Sequence, residues 1–253
     1  MGSKYLKSYK FGHFLINDIE IPRVFFGTSP FFGAGQFKER STRYYQKFYL
    51  TPKNMTSLYY DAINKGLNAI HVPSDPIIIG SIIEAINNSG IDNFVLVTIE
   101  GHNLSKELDL CERIKANSII VHGSFTDRSA DNLKDVLREI KIYSKDIPTG
   151  VATHSPGDVI PKILQYEEVD IILAPINIRG SFMEPTVQST LKAIAKARAK
   201  GRRVIAMKTL AAGLIEPQDA FHYISEKVDG VAVGITSSTE LDQVLSVAEK
   251  YFY

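Results

Sequence analysis

Eight short, mostly apolar runs punctuate this chain, each followed by a polar loop and a stretch with helical patterning. They fall at residues 23–27, 67–72, 93–98, 117–122, 148–153, 170–176, 203–208 and 230–235, mostly at roughly 25–30 residue spacing. RVIAMK at 203–208 and GVAVGI at 230–235 are apolar almost throughout. Runs of that length and composition belong to strands covered on both faces. Parallel strands require a long crossover, and a helical stretch at 217–227 sits between these two. Eight such units predict a closed (β/α)8 TIM barrel, one domain spanning residues 1–253. Ahead of the first run, FLI at 14–16 and IEI at 19–21 flank Asn17-Asp18, the pattern of a β-hairpin. Residues 1–9 are polar and are predicted to be frayed.

Helix signals fill the intervals. Thr51 and Pro52 stand at the N-cap and first helical position of a segment that Gly66 closes. Further helices are predicted at 76–88, 105–115, 129–144 with Ser129 as cap, 155–167, 186–200 and 240–251. The stretch 28–50 is long for a βα connection and holds Phe31, Phe32, Phe37, Tyr44, Tyr45, Phe48 and Tyr49 among basic residues. So many aromatics predict a packed, lid-like loop.

Composition narrows the class of function. The chain has 253 residues, 44% hydrophobic and 23% charged, with a formal net charge of +1. That balance implies no bulk attraction to nucleic acid or membrane, and leaves a small-molecule substrate as the expected partner. The single cysteine, Cys111, rules out an internal disulfide framework and fits a reducing cytoplasm. No apolar run reaches membrane-spanning length, and no signal-peptide core is evident. Oligomeric state is left open by the sequence.

Barrel enzymes carry their chemistry at the carboxyl ends of the strands. Here those ends bear Thr28, His71, Thr98 and Glu100, His122, His154, Asn177, Lys208 and Thr236. Three of the six histidines therefore end strands two, four and five. Two chemistries suit such a rim. A divalent metal can be held by His71, His122, His154 and Glu100 to activate water. Alternatively a histidine, His122 first, transfers a proton to a bound carbonyl compound. Lys208 can serve as an imine-forming amine if desolvated, or hold an anion or carboxylate. The GITSST end at 234–239 opens the last helix with free N–H groups, a natural seat for an anion.

In order and spacing the chain resembles the aldo-keto reductase superfamily over nearly its whole length. The hairpin before the first strand, Gly27-Thr28 and Lys65-Gly66-Leu67-Asn68 are similar to that family's opening motifs. Ile120-Val121-His122 resembles the strand end that carries its catalytic histidine. Gly150-Val151-Ala152-Thr153-His154-Ser155, and Ile205-Ala206-Met207-Lys208-Thr209-Leu210 with Gly213, resemble its later strand ends. Gly234-Ile235 with Ser237-Ser238 resembles its cofactor-phosphate loop. The resemblance implies reduction of a small carbonyl compound with NADP or NAD. His122 would polarise the carbonyl and Asn177 would contact the nicotinamide amide. Gly213, Thr236, Ser237 and Ser238 would border the cofactor. The catalytic pattern departs from the family's Asp, Tyr, Lys, His set. His71 stands at the aspartate position, and Pro73-Ser74-Asp75-Pro76-Ile77 where the tyrosine belongs. Ile99 or Glu100 stands at the lysine position, with Tyr44 or Tyr45 as candidate replacement acids. Glu240 and Asp242 replace the arginine that binds a 2′-phosphate. A barrel that binds a phosphorylated ligand without catalysis is the further alternative.

Overall fold

The computed structural model describes residues 9–128, 130–144 and 146–253. Residues 1–8 of the stretch predicted to fray, and the predicted Ser129 cap, lie outside the described residues. Tyr9, at the edge of that stretch, is buried with the interior apolar residues.

A hairpin of β1 (His13–Ile16) and β2 (Ile19–Pro22) precedes the barrel. Asn17 and Asp18 make its turn, with φ of 46° and 67°. Both residue types tolerate this left-handed backbone better than most. Eight parallel strands follow: β3 (Val24–Gly27), β4 (Ala69–Pro73), β5 (Phe94–Ile99), β6 (Ser118–Val121), β7 (Thr149–Ala152), β8 (Ile171–Pro175), β9 (Arg203–Met207) and β10 (Gly230–Gly234). The ring closes where β10 pairs with β3, Val231 opposite Val24. All eight predicted strands are present, each within a residue or two of its expected bounds.

Alternation along the strands creates two apolar layers. Phe25, Ala69, Phe94, Leu96, Ile120, Ile171 and Ile205 pack together in the barrel interior. Phe26, Ile70, Val72, Val95, Val97, Val121 and Val204 form the other layer, packed against the helices. The same period of two carries upward to the rim. His71 follows Ala69, Thr98 follows Leu96, and His122 and His154 follow Ile120 and Ala152. The inward register therefore delivers these four side chains to the mouth of the barrel.

The helices are α1 (Arg40–Phe48), α2 (Pro52–Asn64), α3 (Pro76–Ser89), α4 (Leu104–Arg113), α5 (Gly123–Thr126), α6 (Ala130–Tyr143), α7 (Pro156–Ile163), α8 (Val187–Ala199), α9 (Pro217–Ile224) and α10 (Ser238–Tyr251). Asp75 caps α3 by accepting from the Ile77 and Ile78 N–H groups, and Gly90 ends it at φ 64°. Thr51 precedes α2 as expected, but its hydroxyl donates to Gln46 O instead of capping the helix.

The long connection 28–50 is largely helical. It contains the 3-10 turn Gly35–Phe37 and then α1. Phe31 and Phe48 are fully buried with rings 4.8 Å apart, and Phe31 also meets Phe26 of β3. Burying each such ring contributes about 1.5–3 kcal/mol, enough to fix the segment on the barrel. Lys47 donates to Thr236 O at 2.7 Å, Arg40 donates to Ala212 O, and Tyr49 donates to Asp75 at 2.9 Å. These contacts tie α1 across the barrel mouth. No helix among the described residues is long and apolar enough to cross a membrane.

Candidate active site

The mouth opens into a cavity of about 1000 Å³. Its walls include His71, Thr98, Glu100, His122, His154 and Lys208, together with Gly213 and Thr236. Asn177, Ser237 and Ser238 do not line it.

His71 and Thr98 share a 2.6 Å hydrogen bond between Nε2 and Oγ1. Burial lowers the His71 pKa from 6.5 to about 4, and the nearby His122 pushes it the same way. The ring is therefore neutral at neutral pH. The side chain that faces position 71 is Thr98, neither Ile99 nor Glu100. A neutral pair replaces the acidic and basic residues that the family resemblance implies there.

His122 ends β6 and caps α5. Its Nδ1 lies 2.8 Å from Ser124 Oγ and 3.2 Å from the Ser124 nitrogen. Ser124 Oγ donates to Glu100 Oε2 at 2.8 Å, and His122 Nδ1 lies 3.3 Å from the same oxygen. Protonation of Nδ1 thus produces an ion pair. In the charged ring Nε2 carries a hydrogen that it can donate. Glu100 is held down to about 2, chiefly by the hydrogen bond with His122, with Ser124 assisting against an opposing effect of burial. It is a fixed negative charge behind the ring.

His154 forms a second such pair. Its Nδ1 lies 3.3 Å from Asp127 Oδ2, and Asp127 also accepts from the His154 N–H at 2.9 Å and Thr153 Oγ1 at 2.6 Å. Burial alone would raise the Asp127 pKa, but these bonds outweigh it and lower the value. The His122 and His154 rings meet edge to face, 5.5 Å between centroids. Gly123 permits this: a Cβ there would sit 2.6 Å from the His154 ring.

Lys208 leaves β9 with φ of 56°, which breaks the strand alternation at the cavity wall. Its ammonium lies 4.5 Å from the centre of the Phe182 ring. Burial lowers its pKa, opposed only by the field of Asp127. Ala211, Ala212 and Gly213 continue the left-handed turn at φ 45°, 60° and 82°. The two alanines cost on the order of 1 kcal/mol each in that region, strain of the kind found at functional sites.

The metal alternative is not favoured by the geometry. Among the described residues no three His, Cys, Asp or Glu side chains come together as a metal-binding group. His71 pairs with Thr98, His122 with Glu100 and His154 with Asp127 instead. Asn177 is fully buried and its amide is used within its own loop. Nδ2 donates to Ser181 O at 2.7 Å and Lys208 O at 3.4 Å, and Oδ1 accepts from the Ser181 N–H at 3.0 Å. Its polar atoms are thus engaged within the loop. Ser237 caps α10 by accepting from the Glu240 N–H, and Glu240 Oε2 takes the Thr236 N–H at 2.7 Å and its hydroxyl at 2.8 Å. The expected anion seat is thus filled by the chain's own carboxylate. Sequence reasoning missed Asp127, Ser124 and this role of Glu240. Ser237-x-x-Glu240 is a capping-box pattern and was the available signal for the last. Asp127 has none, since only the fold sets it beside His154. Of the two tyrosines proposed as acids, Tyr44 reaches the cavity, while Tyr45 stacks on Tyr49 at 4.9 Å.

Comparison with solved structures bears on this geometry. The chain superposes on an aldo/keto reductase from Brucella melitensis with a TM-score of 0.65, at 13% identity, covering 93% of this chain and 92% of that one. It has the aldo-keto reductase fold. An aldo-keto reductase from a Medee basin deep-sea metagenome library matches at TM-score 0.67 and 12% identity, over 92% of this chain and 87% of the other. One from Klebsiella pneumoniae, solved with NADP and acetate, matches at 0.61 and 12%, over 90% and 86%. No family model and no curated protein matches the sequence. The barrel fold read from scattered motifs is thus present in three dimensions, at 12–13% sequence identity to these structures.

Proposed function

We propose that this chain is an oxidoreductase that reduces a small carbonyl compound at the barrel mouth with a nicotinamide cofactor. The observation that carries the reading is the His122–Glu100 pair, set in a cavity of about 1000 Å³ at the carboxyl ends of the strands of an aldo-keto reductase fold. That volume suffices for a dinucleotide and a small substrate together. The cavity reaches from the histidines to Thr236, Glu240 and Gln243 at α10. The donor set there fits a dinucleotide without a 2′-phosphate. Glu240 occupies the donors of Thr236, and a fixed carboxylate repels a phosphate while accepting from a ribose hydroxyl. NADH is therefore the preferred cofactor over NADPH.

The bound cofactor supplies the hydride. His122 Nε2–H donates to the carbonyl oxygen and polarises it. When charged, His122 gives up that proton as the oxygen gains electron density. Glu100 stays ionised and holds the ring by Nδ1 throughout. His71, neutral and fixed by Thr98, adds a polar wall without charge. Phe32, Tyr44 and Phe182 border the cavity and limit access of water.

Loss of NADH absorbance with a panel of small aldehydes and ketones tests the reading. Turnover that His122→Gln abolishes supports it. A folded wild-type chain that oxidises neither NADH nor NADPH with any member of the panel removes it.

A further inference from the structure

The proposed mechanism leaves one nucleophile unused. Lys208 lines the same cavity as His154, half-buried, on a left-handed residue at the end of β9. Its carbonyl accepts from Asn177 Nδ2 and from the Ala211 N–H at 2.9 Å, so the backbone is pinned on both sides. Among the described residues its nitrogen forms no carboxylate pair and meets only the Phe182 face. An anion-holding lysine on a barrel rim is expected to be well hydrated or ion-paired. This one has no carboxylate pair among the described residues, and burial favours its neutral amine.

We propose that Lys208 captures small aldehydes or ketones in this cavity as a reversible imine. The activity needs no nicotinamide and stands apart from the reductase reading. The lone pair of Nζ forms a bond to the carbonyl carbon, and the π electrons move to oxygen. A proton passes from nitrogen to that oxygen, giving a carbinolamine. His154 as imidazolium then protonates the hydroxyl, the C–O bond breaks and water leaves. The nitrogen lone pair closes the C=N bond, leaving a positively charged iminium. Asp127 steadies His154 through Nδ1, and it is also the carboxylate whose field acts on Lys208. The iminium charge then sits against the Phe182 ring.

The test uses the full chain without nicotinamide, incubated with glycolaldehyde and cyanoborohydride. Hydride from the borohydride converts the iminium into a stable secondary amine, located by peptide mass spectrometry. Lys208 is expected to be labelled at least about tenfold faster than exposed lysines such as Lys53 and Lys106. Lys208→Arg keeps the positive charge and is expected to lose the fast labelling while retaining its melting temperature. Labelling of Lys208 no faster than the exposed lysines overturns the proposal, and this reading needs no variant. NADH consumption with the same aldehyde is followed separately, without borohydride. Fast labelling without NADH oxidation upholds the imine and removes the reductase, and NADH oxidation without labelling does the reverse.

Discussion

Acid should expose His71. Its pKa drops from 6.5 to about 4 on folding because the ring is buried, with His122 adding to the effect. At about 1.36 kcal/mol per pKa unit this difference is worth about 3.4 kcal/mol. The ring is reached from the cavity, where water relaxes around it, so about 2 kcal/mol is the expected effect. The sign follows from linkage. Below pH 6.5 the unfolded chain takes up this proton while the folded chain does not. Stability therefore falls as the pH drops from about 6.5 to about 4, and this contribution levels off below that. The loss from Glu100 comes later, below about 4.5, since its pKa is depressed from 4.5 to about 2. Urea unfolding of the wild type and His71→Gln, between about pH 7 and 4, separates the two. Glutamine keeps a partner for Thr98 but cannot take the proton. The wild type should lose about 2 kcal/mol more than the variant across that window. Parallel curves would show that the fold does not hold His71 neutral.

The remaining predictions address chemistry and packing. His122→Gln should lower carbonyl reduction by about 10²–10⁴-fold with an unchanged melting temperature. Glu240→Ser vacates the Thr236 donors and should improve NADPH binding relative to NADH by about tenfold, measured by competitive titration. Gly123→Ala drives a methyl into the His154 ring and should cost about 1–3 kcal/mol, read by thermal melting. Gly150→Ala drives a methyl into the Ile171 carbonyl, a backbone group within the barrel wall, and should destabilise more than Gly123→Ala.

The barrel was legible because its strands are apolar on both faces and its helices carry punctuation such as Asp75-Pro76 and Gly90. The rim histidines were legible for the same reason, since inward register fixes where positions 71, 122 and 154 must point. The helix α1 hid in a loop, although its Tyr44–Phe48 and Tyr45–Tyr49 spacings of four are helical. Partnerships between strands were beyond reach. That His154 meets Asp127, or that the Asn177 amide turns back on Ser181, depends on how neighbouring loops fold. A linear chain does not display those distances. Helix α7 ends earlier than the apolar pattern suggests, at Ile163, shortly after Pro161.

Titration of the full chain with NADH, followed by calorimetry, tests the account most directly. Saturable binding at one site, tighter than that of NADPH, is the predicted result. Absence of heat and of any melting shift at millimolar NADH and NADPH would contradict a nicotinamide-dependent active site at this barrel mouth.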